Sequence, residues 1–159
     1  MLYLYNNPFL LDFLIVADQL PDEQRACMEA FTGEPYTVDG AAIGNFTTQG
    51  PKWTIKTEDH RPIAVGGYVY QRKGVWRDFM LSTPEAWSPE NWFTVTRMTR
   101  RSGDAMFKNG IAHRLECVTL ASRTKAIEWI TMLGLHQEGI LHGFAANGAD
   151  AIMLARVQH

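Results

Sequence analysis

The sequence predicts an α+β fold: one domain, with a mostly antiparallel mixed sheet and helices on both of its faces. Three observations predict it. At 159 residues, 46% hydrophobic and 20% charged, the chain has the size and balance of one buried core. Between Trp53 and Leu81, three runs rich in β-branched and aromatic residues are separated by short turn clusters, the pattern of a meander. Segments with helical periodicity and recognisable ends flank that meander on both sides, and the order strand, helices, meander, long helix, strand, helix, closing strands is that of a layered α+β domain.

The elements follow in order. "MLYLY" suits a short edge strand, ended by the turn-forming "NNP". "FLLDFLIVADQL" has apolar residues at helical spacing. "PDEQRACMEAF" opens on Pro21 with acids in its first turn and stops at Gly33, so both segments are predicted helices. "TGEPYTVDGAAIGNFTTQGP" is rich in Gly, Thr and Pro and reads as an irregular connection with one helical turn near Ala41. These pieces make up an N-terminal part over residues 1–50. The meander over 53–81 consists of "WTIKT", "PIAVGGYVYQ" and "VWRDFML", divided by "EDHR" and "RKG". A long helix is predicted over 88–109, with Ser88 as N-cap, Pro89 at the first helical position, Glu90 in the first turn and "NG" at the end. Over 112–159 follow the strand "HRLECVTLA", the helix "SRTKAIEWITMLGL" capped by Ser122 and stopped by Gly134, and a hairpin around "ANGAD".

Composition excludes several function classes. A formal net charge of −2 gives no electrostatic case for nucleic acid. Cys27 and Cys117 are far apart and lack the spacings of zinc or redox sites, so no metal is expected. The apolar "PFLLDFLIVA" is interrupted by Asp12 and is shorter than the roughly 20 residues of a membrane span. The expected setting is a reducing cytoplasm, without membrane association.

The order of elements from Trp53 to Val157, together with "PIAVGGYV" as a third strand and "AIEWITMLGL" leading into Gly134-Leu135, resembles the GNAT acetyltransferases. It is most similar to the divergent GNAT-like proteins of tailed bacteriophages, which include an internal virion protein. The resemblance implies an acyl-CoA-dependent N-acyltransferase, or a catalytically weakened relative, using acetyl-CoA with an unidentified amine acceptor. The alternative it implies is a non-enzymatic scaffold that binds a host or virion protein in the host cytoplasm or in the particle. A homo-oligomer is compatible with either.

"RRSGDA", Arg100 to Ala105, resembles the family's pyrophosphate signature, but it falls inside the predicted long helix, where each N–H is bonded within the helix and cannot cradle an anion. Arg97, Arg100 and Arg101 then form an exposed basic face, with Gly103 allowing close packing. By the resemblance, the cofactor would enter at "LSTPEAWSPENW", with the thioester beside Leu81, Ser82 and Thr83 and with Trp87, Ser88, Asn91 and Ser122 as further contacts. That junction lacks the family's glycines and Arg, and Glu85 and Glu90 stand where a phosphate would sit. At the family's Tyr acid position the sequence offers Trp129 or Ile130, neither of which donates a proton to sulfur.

Asp78 and Glu116 are the candidate catalytic bases, each on a predicted strand. Alternation places Asp78 and Arg77 on opposite faces. Glu116 is either a buried carboxyl with a raised pKa or one half of an ion pair with an Arg such as Arg114. His60 reads as a solvated turn residue. Tyr68 and Tyr70 share a strand face and either line a cleft or pack. Trp87 and Trp92 flank the expected entry, where they would stack on a ligand or partner or fill the core.

Overall fold

The computed structural model describes residues 1–158. Seven strands form one sheet in the order β1-β2-β3-β4-β5-β7-β6. β1 (Leu2–Tyr5), β2 (Lys52–Thr57), β3 (Pro62–Arg72) and β4 (Val75–Ser82) pair antiparallel in sequence order. β4 then meets β5 (Arg114–Leu120) in parallel, and β7 (Ala151–Val157) lies antiparallel between β5 and β6 (His136–Leu141). The sheet is therefore mixed and mostly antiparallel, as the sequence predicts.

α1 (Leu10–Asp18), α2 (Asp22–Thr32) and α3 (Val38–Phe46) cover one face. Phe13 and Val16 of α1 and Ala41 and Ala42 of α3 pack with Val65 and Leu81 of the sheet. α4 (Trp92–Lys108) and α5 (Thr124–Met132) cover the other face. Val95 and Met106 of α4 pack on Trp53, Tyr68 and Leu115, while Ile130 and the adjacent Leu133 pack on Ile152 and Leu154. A Cβ on Gly66 would lie 2.4 Å from Cζ2 of Trp53, so the glycine makes room for that indole across β3.

Three local expectations need correction. Residues read as irregular around Ala41 form a full helix, capped where Thr37 Oγ1 accepts from the Gly40 N–H at 3.1 Å. Gly and Thr are poor helix formers, but burying Ala41 and Ala42 against α1 outweighs that propensity. The long helix begins at Trp92 rather than Ser88. A 3₁₀ turn over Pro84–Trp87 comes first, and Ser88 is extended (φ −60°, ψ 155°), the conformation a following proline imposes. The Ser88 carbonyl accepts from the Trp92 N–H at 3.0 Å, so only its backbone serves the helix. Ser122 does not cap α5 either. It is exposed in the preceding turn, and Arg123 holds the N-cap position without a side-chain bond.

Candidate active site

β4 and β5 pair only where Val75–Arg77 meets Arg114–Glu116; beyond that no ladder joins them, and β4 runs on to Ser82 while β5 runs on to Leu120. The strands therefore leave a splay between their C-terminal halves. Trp76 and Leu115 are register partners and both pack in the core under α4, so alternation puts Asp78, Met80, Cys117 and Thr119 on that same face.

Two buried side-chain oxygens among the described residues have no hydrogen-bond partner, Asp78 Oδ1 and Thr119 Oγ1. Both belong to this face of the splay. Buried polar atoms are normally paired, so two orphans on facing strands call for an explanation. Burial pushes the Asp78 carboxyl well above the usual carboxylate range; Arg156 opposes that shift and Glu116 reinforces it. Burial, with the charge of Asp78 next, pushes the Cys117 thiol up to about 12, so it is protonated and not a nucleophile at neutral pH. Tyr68, opposite Asp78 in the β3–β4 register, donates its hydroxyl to Ser102 Oγ at 3.0 Å. Burial and then Asp78 raise the Tyr68 pKa, keeping the phenol neutral.

Glu116 points to the opposite face and is clamped. Arg77 donates to Oε1 at 2.8 Å and Arg114 to Oε2 at 3.0 Å, and Arg114 also holds Glu138 at 2.6 Å. Burial opposes ionisation of Glu116, but the two guanidinium groups outweigh it and hold the carboxyl below its ordinary range. Of the alternatives for this residue, the geometry is that of the ion pair.

The expected cofactor contacts lie at the open end. Leu81 is buried toward α1, on the far face. Ser82 is buried, and its Oγ accepts from Trp87 Nε1 at 2.8 Å and from Gln24 Nε2 at 2.9 Å. Thr83 turns inward, donating from both N and Oγ1 to the Ile63 carbonyl. The Trp87 indole stands on Trp129 of α5, whose own N–H reaches Thr96 Oγ1 at 2.8 Å. Asn91 occupies the N-cap position of α4 but gives its amide to the Glu85 carbonyl at 3.1 Å.

Electrostatics at this junction is only partly relieved. Arg61 binds both carboxylate oxygens of Glu85, at 2.7 and 3.1 Å, but it also holds Asp59 at 2.9 Å, so one cation serves two acids, and Glu90 just before α4 is exposed without an ion pair among the described residues. The first turn of α4 carries no acid, and the N–H groups of Phe93 and Thr94 have no backbone acceptor. Arg100 to Ala105 lies within α4, where Arg100 donates to the Met132 carbonyl at 2.9 Å, so this segment is no phosphate loop. His60 sits in the turn after β2 with φ 63°.

The sequence singles out Asp78 as a candidate but not Thr119, Cys117 or Gln24. Thr119 and Cys117 interrupt an apolar strand at alternate positions on one face, which is a usable signal. Gln24 gives none, because it reaches Ser82 from 58 residues away.

No family model matches the sequence, and no curated protein matches it either. Solved structures do match over the full length. An acetyltransferase of the GNAT family from Bacillus anthracis superposes with a TM-score of 0.74 at 12% identity, covering 98% of this chain and 94% of that one. One from Streptococcus pneumoniae gives 0.68 at 14% identity over 100% of both chains. A spermidine N-acetyltransferase from Vibrio cholerae gives 0.72 at 14%, covering 98% and 94%. The chain has the GNAT acetyltransferase fold.

Proposed function

We propose that this protein is an acyl-CoA-dependent N-acyltransferase that uses acetyl-CoA, with its reaction centre in the splay between β4 and β5. The observation that carries the reading is the pair of orphaned buried oxygens, Asp78 Oδ1 and Thr119 Oγ1, on the same face of that splay. Buried polar atoms stay unpaired at a cost of about 1–3 kcal/mol each, and a polar ligand seated between the strands would relieve it. The GNAT fold supports the same reading as an analogy of architecture.

The residues present fit acetyl-CoA at both ends. At the reacting end, Asp78 and Thr119 supply unpaired oxygens; at the other, the Phe93 and Thr94 N–H groups at the start of α4 have no backbone acceptor and would serve as donors for phosphate. Acetyl-CoA supplies an acyl thioester, to which an amine adds as the carbon–sulfur bond breaks. Asp78 takes the proton that the amine gives up; burial raises its pKa, so it holds a proton more strongly than an exposed carboxylate does. Thr119 Oγ1, further along β5 on the same face, offers one more hydrogen bond. Trp87 and Gln24 close the path along Ser82, and they yield by giving up their two side-chain bonds to its hydroxyl. By the family resemblance the general-acid position falls on Trp129 or Ile130, neither of which donates a proton to sulfur, so the departing thiolate would take its proton from water and transfer would be slow.

That closure of Ser82 also favours a second reading, the same fold kept as a non-enzymatic binding scaffold. Neither reading calls for a phage origin or a place in a virion. Calorimetric titration with acetyl-CoA and with free coenzyme A separates them: saturable binding near one per chain is expected, and no heat from either at about 1 mM, a Kd too weak for use, would select the scaffold.

A further inference from the structure

Arg156 of β7 is the register partner of Leu115, so it lies on the α4 face of the sheet, the face that carries Asp78. Its side chain, 27% exposed, runs inward past two glycines. A Cβ on Gly134, just after α5, would stand 3.5 Å from Arg156 Nε, and a Cβ on Gly103 of α4 would stand 3.9 Å from Arg156 Nη1. The latter point is also 3.8 Å from the Tyr68 hydroxyl, so the guanidinium and the phenol approach one spot under α4 from opposite sides of the sheet. Tyr68 sits opposite Asp78 in the β3–β4 ladder, and the strand order β3-β4-β5-β7 puts the strand of Asp78 between those of Tyr68 and Arg156.

α4 fixes the guanidinium from above. Arg156 Nη2 donates to Asp104 Oδ1 at 2.6 Å, and Cζ stands 4.8 Å from the centre of the Phe107 ring. The charged and titratable groups around Asp78 are Tyr68 on β3, Glu116 and Cys117 on β5, Arg156 on β7 and Asp104 on α4. Burial keeps Tyr68 and Cys117 neutral, and Glu116 and Asp104 are ion-paired acids. Arg156 is therefore the one cation among these groups. Arg77, next to Asp78 in sequence, is turned to the other face, where it holds Glu116, and Arg97, Arg100 and Arg101 are exposed on α4. The charge of Arg156 opposes the rise in proton affinity that burial gives Asp78.

We propose that Arg156, anchored by Asp104, is the counter-charge of Asp78: a positioning residue through which β7 and α4 hold that carboxylate once it has lost its proton. The consequence for transfer rests on the reading of Asp78 as the base. Only the ionised carboxylate accepts a proton from the amine, and without Arg156 it would stay protonated to higher pH.

NMR of the carboxyl carbons of isotope-labelled aspartates follows the Asp78 titration without any need for turnover, its signal being the one lost in Asp78→Asn. Arg156→Gln and Arg156→Met should each raise the Asp78 midpoint by about one pH unit, a tenfold change in proton affinity, and Arg156→Lys should keep it within about half a unit of the parent. The pH–rate profile of acetyl transfer should move upward in the two neutral variants and recover in Arg156→Lys. An unmoved Asp78 midpoint in a folded neutral variant would overturn the proposal. If neither neutral variant folds, Asp104→Asn decides: removing an anion and freeing Arg156 should lower the midpoint by about half a unit, and a midpoint that stays put or rises overturns the proposal as well. A parent without acetyl transfer whose Asp78 midpoint still moves with Arg156 would remove the enzyme reading and keep the counter-charge.

Discussion

Trp87 donates its indole N–H to Ser82 Oγ at 2.8 Å, tying the 3₁₀ turn after β4 back onto the last residue of that strand. Ser82 also receives Gln24 from α2, so a helix from one face and a turn from the other meet at a single hydroxyl. Two side-chain bonds thus meet at the last residue of β4, and bonds of this kind are worth only about 1 kcal/mol each.

Trp87→Phe removes the bond to Ser82 and keeps a ring against Trp129. It should lower stability by about 1 kcal/mol, a Tm drop of roughly 2–4 °C for a chain of this size. Acetyl-CoA affinity, measured by calorimetry, should rise, because the ligand then displaces one bond fewer. An affinity loss of about tenfold, 1.4 kcal/mol, would instead make the indole N–H a ligand contact.

Asp78→Asn should separate stability from activity. Burial raises the folded-state pKa of Asp78, so the folded state favours its proton. Its stability is therefore greatest below the unfolded carboxylate value of about 3.9 and declines as pH rises from there toward the folded pKa. Asn has no such penalty, so the variant should unfold at higher temperature than the parent at neutral pH, with the gap closing toward pH 4. Acetyl transfer should fall by about 10² to 10⁴ as the base is lost. A parent rate that stays flat with pH above the ordinary carboxylate range would remove Asp78 from the role of base.

The parts of the fold legible in the sequence are those set by local pattern. The meander from Lys52 to Ser82 shows itself because each strand lies between turn clusters, and α4 because "NG" marks its end. α3 does not, because its Gly- and Thr-rich residues become helical only through the packing of Ala41 and Ala42 on α1. The start of α4 is ambiguous because Ser88, Pro89 and Glu90 carry every start signal while the chain spends them on a turn. In the site, Asp78 and Glu116 look equivalent as isolated acids on strands. What divides them is the parallel pairing of Arg77 with Glu116, which brings a guanidinium across 39 residues of sequence. Long-range pairing of that kind has no local signature.

Glu116→Gln tests that division. The native carboxylate holds Arg77 and Arg114, and removing it leaves both cations without their buried counter-charge. Breaking a fully buried pair costs about 3–5 kcal/mol, and the partial exposure of Arg77 reduces this to about 1–3. The folded-state pKa of Glu116 is depressed, so its contribution is complete above the unfolded value of about 4.3 and is lost as pH falls through the folded one. Thermal unfolding across pH should show the parent and variant converging in acid. Transfer per folded molecule should remain within about twofold of the parent, and a loss of 10² or more with binding intact would make Glu116 the base instead.

Gly103→Ala tests whether Arg100 to Ala105 is only a helix. Gly103 lies in the interior of α4 over β5, and an added Cβ would meet Leu115 Cδ1 at 3.4 Å, an ordinary contact distance. No positive φ demands glycine there, so the backbone pays no strain. Alanine gains about 1 kcal/mol in a helix interior relative to glycine, partly by restricting the unfolded chain. The variant should therefore unfold at a temperature roughly 2–4 °C higher. Its acetyl-CoA affinity should match that of the parent, because the N–H groups of this segment are bonded within the helix. Raised stability with unchanged affinity fits a packing glycine. A sharp loss of affinity in a folded protein would mean that the segment meets the cofactor after all and that the entry to the splay lies along α4, not at its first turn.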